Sequence, residues 1–170
     1  MSREVVERYR RWLAYESDAH AKVIRSLESV PADRRDAPEF RRAVGLLGHL
    51  AAARRVWLGR LGVAPPFQGA FFPEGADLAQ VVDDLRAAEQ GWTEYLGRLS
   101  DADLARTFEY QSLDAGRFRN RVEDILAQLF GHSWYHRGQI AMLVRAAGGE
   151  PAVTDLIFWC REPVSPGGPG

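Results

Sequence analysis

The sequence predicts an all-α protein, an antiparallel four-helix bundle with a long crossover, a short hairpin and a short C-terminal helix. Apolar residues recur at three- and four-residue spacing along four long segments, and proline and glycine separate these segments. The length of 170 residues and the hydrophobic content of 46% suit one domain with a sizeable core. We therefore expect one bundle over residues 1–162 and a disordered tail over residues 163–170.

The first two helices have clear sequence signals at their ends. The first is predicted over about residues 3–30 and stops before Pro31. The second is predicted from about Pro38, since proline suits a first helical turn, to Gly62. Residues 63–76 are rich in proline, glycine and phenylalanine, which predicts a long loop with aromatic anchors.

The third helix is predicted to begin at Asp77, a good N-cap, and to end near Leu99. Residues 100–106 are predicted to form a turn. Residues 107–119 alternate polar and apolar side chains around the turn signal Asp114-Ala115-Gly116. They predict a short β-hairpin or an irregular crossover.

The fourth helix is predicted to open at Asn120, with Glu123 three residues later in a loose capping box. It should end at Gly148 and Gly149. A short final helix is predicted over residues 154–161.

Composition limits the partners and the compartment. The formal net charge is -1, which gives no bulk attraction to nucleic acid or to an anionic membrane. Cys160 is the single cysteine, so an intramolecular disulfide is excluded. The charged N-terminus lacks the apolar stretch of a signal peptide, and no uninterrupted apolar run is long enough to span a membrane. We expect a cytoplasmic protein that binds neither nucleic acid nor membrane.

The sequence holds four histidines, and two of them share one helix face. His132 and His136 are four residues apart, so their rings can approach one metal ion. His136 lies on the apolar stripe of the fourth helix, where a polar ring needs a partner. The alternative is a pair of histidines satisfied by hydrogen bonds alone.

The other two histidines lie on the first and second helices. His49 sits within an apolar turn of the second helix and is the candidate third ligand of a divalent metal. His20 lies on the stripe of the first helix, where it lines a pocket or donates a hydrogen bond within the core. The spacing of His132 and His136 also occurs in zinc peptidases, but Ser133 replaces the glutamate that their mechanism needs.

The segment from Leu129 to Glu162 resembles the last helix and C-terminus of the DinB/YfiT-like family, which is unrelated to the polymerase of that name. The resemblance rests on His132 followed after three residues by His-Arg-Gly-Gln, residues 136–139. The Gly-x-x-Pro run at Gly148 and the apolar turn around His49 also match.

The resemblance implies a bacterial four-helix bundle that holds nickel, zinc or a similar divalent ion on three histidines. Characterised relatives include transferases and an isomerase that use a low-molecular-weight thiol of the bacillithiol or mycothiol type. The expected partners are therefore a small-molecule thiol and an electrophile, and a homodimer is implied. The alternative is a non-catalytic, DNA-damage-inducible bundle that acts by dimerisation or partner binding.

Several residues are candidates for a substrate pocket. Arg137 can steer an anionic substrate as the candidate catalytic residue, or form a surface salt bridge. The loop from Phe67 to Phe72 and the aromatic residues Trp12, Trp92 and Tyr95 can line the pocket, or pack in the core.

Overall fold

The computed structural model describes residues 4–164, which contain four long helices and several short elements. The long helices are α1 (Glu4–Glu28), α2 (Pro38–Arg60), α3 (Leu78–Arg98) and α5 (Val122–Ala146). The short elements are a 3-10 helix (Ala32–Arg34), α4 (Asp101–Ala105), β1 (Thr107–Gln111), β2 (Arg117–Arg121) and α6 (Leu156–Cys160). The predicted start at residue 3 and residues 165–170 of the tail predicted over residues 163–170 lie outside the described residues.

The long helices form the predicted all-α bundle, in which α2 packs against α3 and α5, and α1 packs against the same two helices. Val44 and Val144 belong to one hydrophobic cluster, and Leu58 and Leu126 belong to the other. Helices α2 and α5 therefore run antiparallel. No helix in the described part of the chain is long and apolar enough to cross a membrane.

The prediction of a turn over residues 100–106 was wrong, because this segment forms α4. Ser100 caps it: its hydroxyl accepts a hydrogen bond from the Asp103 amide, and the Asp103 carboxylate accepts from the Ser100 amide at 2.9 Å. Such a reciprocal box satisfies two amides that a helix end would otherwise leave free. One turn of helix is too short to show a periodic apolar pattern.

Residues 107–121 form an antiparallel hairpin, which settles the alternative left open by the sequence. The prediction that α5 opens at Asn120 was wrong, since Asn120 pairs with Phe108 in the hairpin and α5 begins at Val122. The amide of Arg121 donates instead to the Asp124 carboxylate at 3.2 Å. Pairing with β1 extends β2 through Asn120 and Arg121, the two residues that the sequence placed in the helix.

Single residues mark the start of α6 and the end of α2. Helix α6 begins at Leu156, later than the predicted Thr154, whose carbonyl accepts a hydrogen bond from the Tyr15 hydroxyl. Helix α2 ends at Arg60, and Gly62 follows with a positive φ of 71°. This left-handed conformation favours glycine and turns the chain into the long loop.

Candidate metal centre

The three histidines that the sequence singled out converge between α2 and α5. The Nε2 atom of His132 lies 3.0 Å from Nε2 of His49 and 2.9 Å from Nε2 of His136. One ligand atom from each ring lies within 4.8 Å of the others. His49 and His136 are buried, and His132 is partly exposed. The geometry is that of a group that can hold a metal ion.

Hydrogen bonds on the far side of two rings fix which nitrogen is free. Nδ1 of His49 donates to the Phe71 carbonyl at 2.8 Å, and Nδ1 of His136 donates to Oε1 of Gln139 at 2.7 Å. We assign the tautomers from these acceptors, which take protons but cannot give them. Each neutral ring then presents the lone pair of its Nε2 atom to the centre.

The environment of His132 and His49 favours the neutral form of these two rings. Burial and, to a smaller extent, the charges of His136, His49 and Arg54 together lower the pKa of His132 to about 4. Burial also lowers the pKa of His49, although its hydrogen bond to the Phe71 carbonyl acts in the opposite direction. Neutral imidazole is the form that binds a metal ion, so the centre is ready for a cation at neutral pH.

The residues present fit a divalent ion. Hydrogen bonds among the three Nε2 atoms cannot satisfy all of them. Even if His132 Nε2 carries a proton, it can donate that proton to only one of its two neighbours, His49 or His136. Ligand atoms at about 2.0–2.1 Å from one metal ion lie about 3 Å from each other. The Nε2 atom of His132 lies at this distance from Nε2 of both His49 and His136. Within residues 4–164, no carboxylate or thiol joins this group, so coordination positions would stay open. An open set of three protein ligands is the catalytic pattern rather than the structural one.

The loop between α2 and α3 covers one side of the centre. The Phe72 ring stacks on His49 with centroids 4.0 Å apart, and Phe71 meets the same ring edge-on at 4.5 Å. Pro73 holds the loop against α2, because a Cβ added at Gly48 would lie 2.7 Å from Pro73 Cγ. A glycine at this position therefore allows the approach that brings both phenylalanines to His49.

Arg137 and His20 lie away from the centre, in a buried polar network. Arg137 is 4% exposed, so it is not a surface residue, and it donates to Glu16 and to the Tyr15 hydroxyl. His20 contacts Glu89 at 2.6 Å through Nδ1 and Ser133 at 3.1 Å through Nε2. His20 therefore takes the hydrogen-bonding role, which was one of its two expected roles.

Three aromatic candidates for the pocket lie in the second hydrophobic cluster instead. Trp92 is buried there, and Trp12 and Tyr95 pack against it. Trp92 Nε1 donates to the Arg54 carbonyl at 3.2 Å, which ties it to the core. Of the aromatic candidates, the loop residues Phe71 and Phe72 contact the histidines.

Two residues of the polar network, Glu16 and Arg54, were not predicted from the sequence. Glu16 is fully buried and accepts from Arg54 at 2.7 Å. Burial would raise the pKa of Glu16, but the charges of Arg54, His20 and Arg137 lower it below its ordinary value. The one available signal was the spacing of Glu16 and His20, four residues apart on the apolar stripe of α1.

The fold and the centre together define a class of protein, a four-helix bundle with an open three-histidine site between facing helices. The sequence model of the DinB family matches residues 1–162, and the chain belongs to the DinB family. The resemblance seen around His132 and His136 is thereby confirmed at the level of the family. No curated protein and no solved structure gives a significant match.

Proposed function

We propose that the protein is a metal-dependent transferase or isomerase that acts on a low-molecular-weight thiol and a small electrophile. The observation that carries this proposal is the convergence of three imidazole Nε2 atoms without a fourth protein ligand among the described residues. Nickel and zinc are the proposed ions, since imidazole suits both. A structural site would be expected to close its coordination with protein ligands.

The chain's own residues prepare the centre for this chemistry. The Phe71 carbonyl and the Gln139 amide oxygen orient His49 and His136. Phe71 and Phe72 keep water from one side of His49, which lowers the local dielectric. His49, His132 and His136 would hold a divalent ion, which would supply the charge that keeps a bound thiol ionised near neutral pH and that polarises an electrophile.

The class of thiol follows from the family resemblance, which points to bacillithiol or mycothiol. A cytoplasmic homodimer is part of the same proposal. Closed twofold dimers are the commonest assemblies of soluble proteins. Light scattering at high micromolar concentration tests the dimer, and a monomer there would remove this part of the proposal.

The activity is tested with protein purified without a histidine tag and loaded with zinc or nickel. Bacillithiol, mycothiol and glutathione are each offered with an alkylating probe and with a maleyl-type acid. We expect at least one pair to react faster than without protein, because a free thiol of pKa about 8.5 is mostly protonated at neutral pH. The rate should fall to background in the His132→Ala and His136→Ala variants.

The matched control is Gln128→Ala, an exposed substitution on the same helix. It should keep the full rate. A flat result over the whole panel, with the metal confirmed by elemental analysis, would contradict the proposed activity and leave metal binding without turnover. Activity that survives loss of both histidines would place the chemistry elsewhere.

A further inference from the structure

A pocket of about 340 Å³ opens between α2, the long loop and the tip of the hairpin. Its walls are largely apolar, with Val56, Phe67, Phe71 and Leu113 among them. Arg60 is the one cationic residue of the lining. The pocket thus combines flat aromatic walls with a single positive charge, a combination typical of sites for small organic anions.

The pocket lies beside the metal centre on the same face of α2. Val56 and Arg60 follow His49 by seven and eleven residues, which at 3.6 residues per turn returns both to the His49 side of the helix. Phe71 belongs to both places: it is one of the residues that line the pocket, and its carbonyl accepts the Nδ1 proton of His49. A molecule in this pocket therefore contacts the residue that orients a candidate ligand.

Arg60 is held in place but has no anionic partner among the described residues. Its guanidinium lies over the Trp57 ring at 4.7 Å and over the Tyr110 ring at 5.0 Å. Stacking uses the faces of the guanidinium and leaves its N–H edge available. In residues 4–164, no acidic group forms a salt bridge with Arg60 and no oxygen accepts a hydrogen bond from its side chain.

Arg55, on the same helix, has both an aromatic contact and an acidic partner. It lies over the Phe67 ring at 5.1 Å, and its Nη1 donates to Asp84 at 2.8 Å. Arg60 has the aromatic contacts without the carboxylate. Burial lowers the pKa of Arg60, which is the expected cost of a half-buried cation without a counter-ion.

We infer that this pocket is the subsite for a small carboxylate with a flat apolar body, whose carboxylate is bound by the N–H edge of Arg60. The inference rests on the proposed function, because it names the class of the electrophile. One guanidinium matches one carboxylate in a two-bond arrangement. A phosphate ester carries more charge than the single cation of this lining can compensate.

A purely structural role for Arg60 makes different predictions. The residue ends α2, where a cation favours the helix dipole, and its stacking on Tyr110 holds the hairpin against the helix. Arg60→Met would then lower the unfolding temperature without changing the binding of small anions. The subsite requires a change in binding by the folded protein.

The test measures binding to the zinc-loaded, full-length protein by calorimetry, with benzoate as the probe. Benzyl alcohol has the same shape without charge, and phenyl phosphate offers the other common oxyanion. We expect benzoate to bind at least about tenfold more tightly than benzyl alcohol, since a charge-assisted bidentate contact adds that much or more. Benzoate should also bind more tightly than phenyl phosphate, whose additional charge has no further cation in this lining. Arg60→Met should weaken benzoate by about tenfold or more and leave benzyl alcohol unchanged.

Arg55→Met is the matched control, because Arg55 also stacks on an aromatic ring but is not itself one of the residues that line this pocket. It should bind benzoate like the unchanged protein. If Arg60→Met does not fold, Arg60→Lys keeps the charge and loses the planar fork, and benzoate should still weaken severalfold. In the unchanged protein, benzoate should shift the amide NMR signals of Gln111 and Phe71 more than those of Arg55.

The inference is overturned if benzoate shows no saturable binding up to about 10 mM, or binds the Arg60 variants unchanged. Equal binding of benzyl alcohol would show that charge is not recognised. Tighter binding of phenyl phosphate would assign the pocket to a phosphate ester. The binding of benzoate is measured independently of enzymatic activity. If benzoate binding depends on Arg60 but no thiol transfer is found, only the proposed function is contradicted. Transfer to an anionic electrophile at the same rate and KM in Arg60→Met contradicts only this inference.

Discussion

Helix α5 carries polar groups on two faces, and the protein satisfies them in opposite ways. On one face, Arg137 donates to Glu16, which also accepts from Arg54 on α2. On the other face, His132 and His136 direct their Nε2 atoms at each other and at His49. The charges of the buried cluster are balanced by protein partners, although Nε of Arg137 has no hydrogen-bond partner in the described part of the chain. The histidine centre instead holds acceptors without enough donors. Of the two, the histidine centre is the group that can hold a cation from outside.

His20 and His132 differ in the same way in their hydrogen-bond partners. Burial lowers the pKa of both His20 and His132. His20 bonds Glu89 with one nitrogen and Ser133 with the other, so both of its nitrogens have oxygen partners. His132 meets only histidine nitrogens through its Nε2 atom. A buried histidine is therefore a ligand candidate by virtue of its partners and not of its burial.

The largest expected effect is a loss of stability when Glu16 is removed from the buried charged cluster. Glu16→Ala leaves Arg54 and Arg137 buried without a counter-charge. We expect the free energy of unfolding to fall by about 3–5 kcal/mol, which is the usual consequence of removing one partner of a buried ion pair. Urea unfolding followed by circular dichroism measures it.

Glu7→Ala serves as the control, because Glu7 is an exposed acid on the same helix that pairs with Arg10. Its effect should stay within about 1 kcal/mol. Metal stoichiometry should be unchanged in Glu16→Ala wherever that variant is still folded. A loss of less than about 1 kcal/mol would show that these charges are not paired in solution.

The next largest expected effect is on the metal affinity of the three-histidine centre. His136→Ala should reduce zinc affinity by about a hundredfold or more, since it removes one of three ligands. The metal-free variant should keep its helicity and its unfolding midpoint, because the hydrophobic clusters do not depend on the ion. Competition with a chelating dye measures the affinity. Unfolding of the metal-free protein would instead identify a structural site.

A smaller effect is expected from the residue that orients His136. Gln139→Ala removes the acceptor of the Nδ1 proton, which lies 2.7 Å away. Loss of such an outer partner costs about tenfold to a hundredfold in metal affinity. Gln139→Glu keeps an acceptor and should retain most of the affinity. Equal affinity in Gln139→Ala and the unchanged protein would show that Gln139 does not orient the ring.

The three-histidine centre could be predicted from sequence and the buried charged cluster could not, for a physical reason. Helical periodicity places His132 and His136 on one face, and the apolar neighbours of His49 turn it inward. Glu16 and Arg54 are charged residue types that lie on the surface in most proteins. Their burial depends on a pairing between two helices, which local pattern does not encode.

Arg137 shows the limit of the same reasoning. It neighbours His136 in sequence, and this placed it at the centre as a candidate for steering the substrate. One residue turns a helix by about 100°, so adjacent side chains point to different sides. Arg60, eleven residues from His49, shares its helix face although nothing in the local sequence links the two.

The smallest expected effect is a pH dependence of the metal-free protein. The pKa of His132 is about 4 in the folded state, against an ordinary value of 6.5. Above pH 6.5 the ring is neutral in both states, and the protein has its full stability. As the pH falls below 6.5, the unfolded chain takes up a proton that the folded chain does not. The free energy of unfolding should therefore decrease between pH 6.5 and about 4.

The measurement compares urea unfolding at pH 7 and pH 5 in the presence of a chelator. His132→Gln should lose less stability between these values than the unchanged protein, because one of the depressed groups is gone. His20 and His49 have lowered pKa values as well, so part of the dependence remains in this variant. Solvent screening at the partly exposed His132 keeps the difference small. The same pH dependence in both proteins would mean that His132 is not held neutral by the centre.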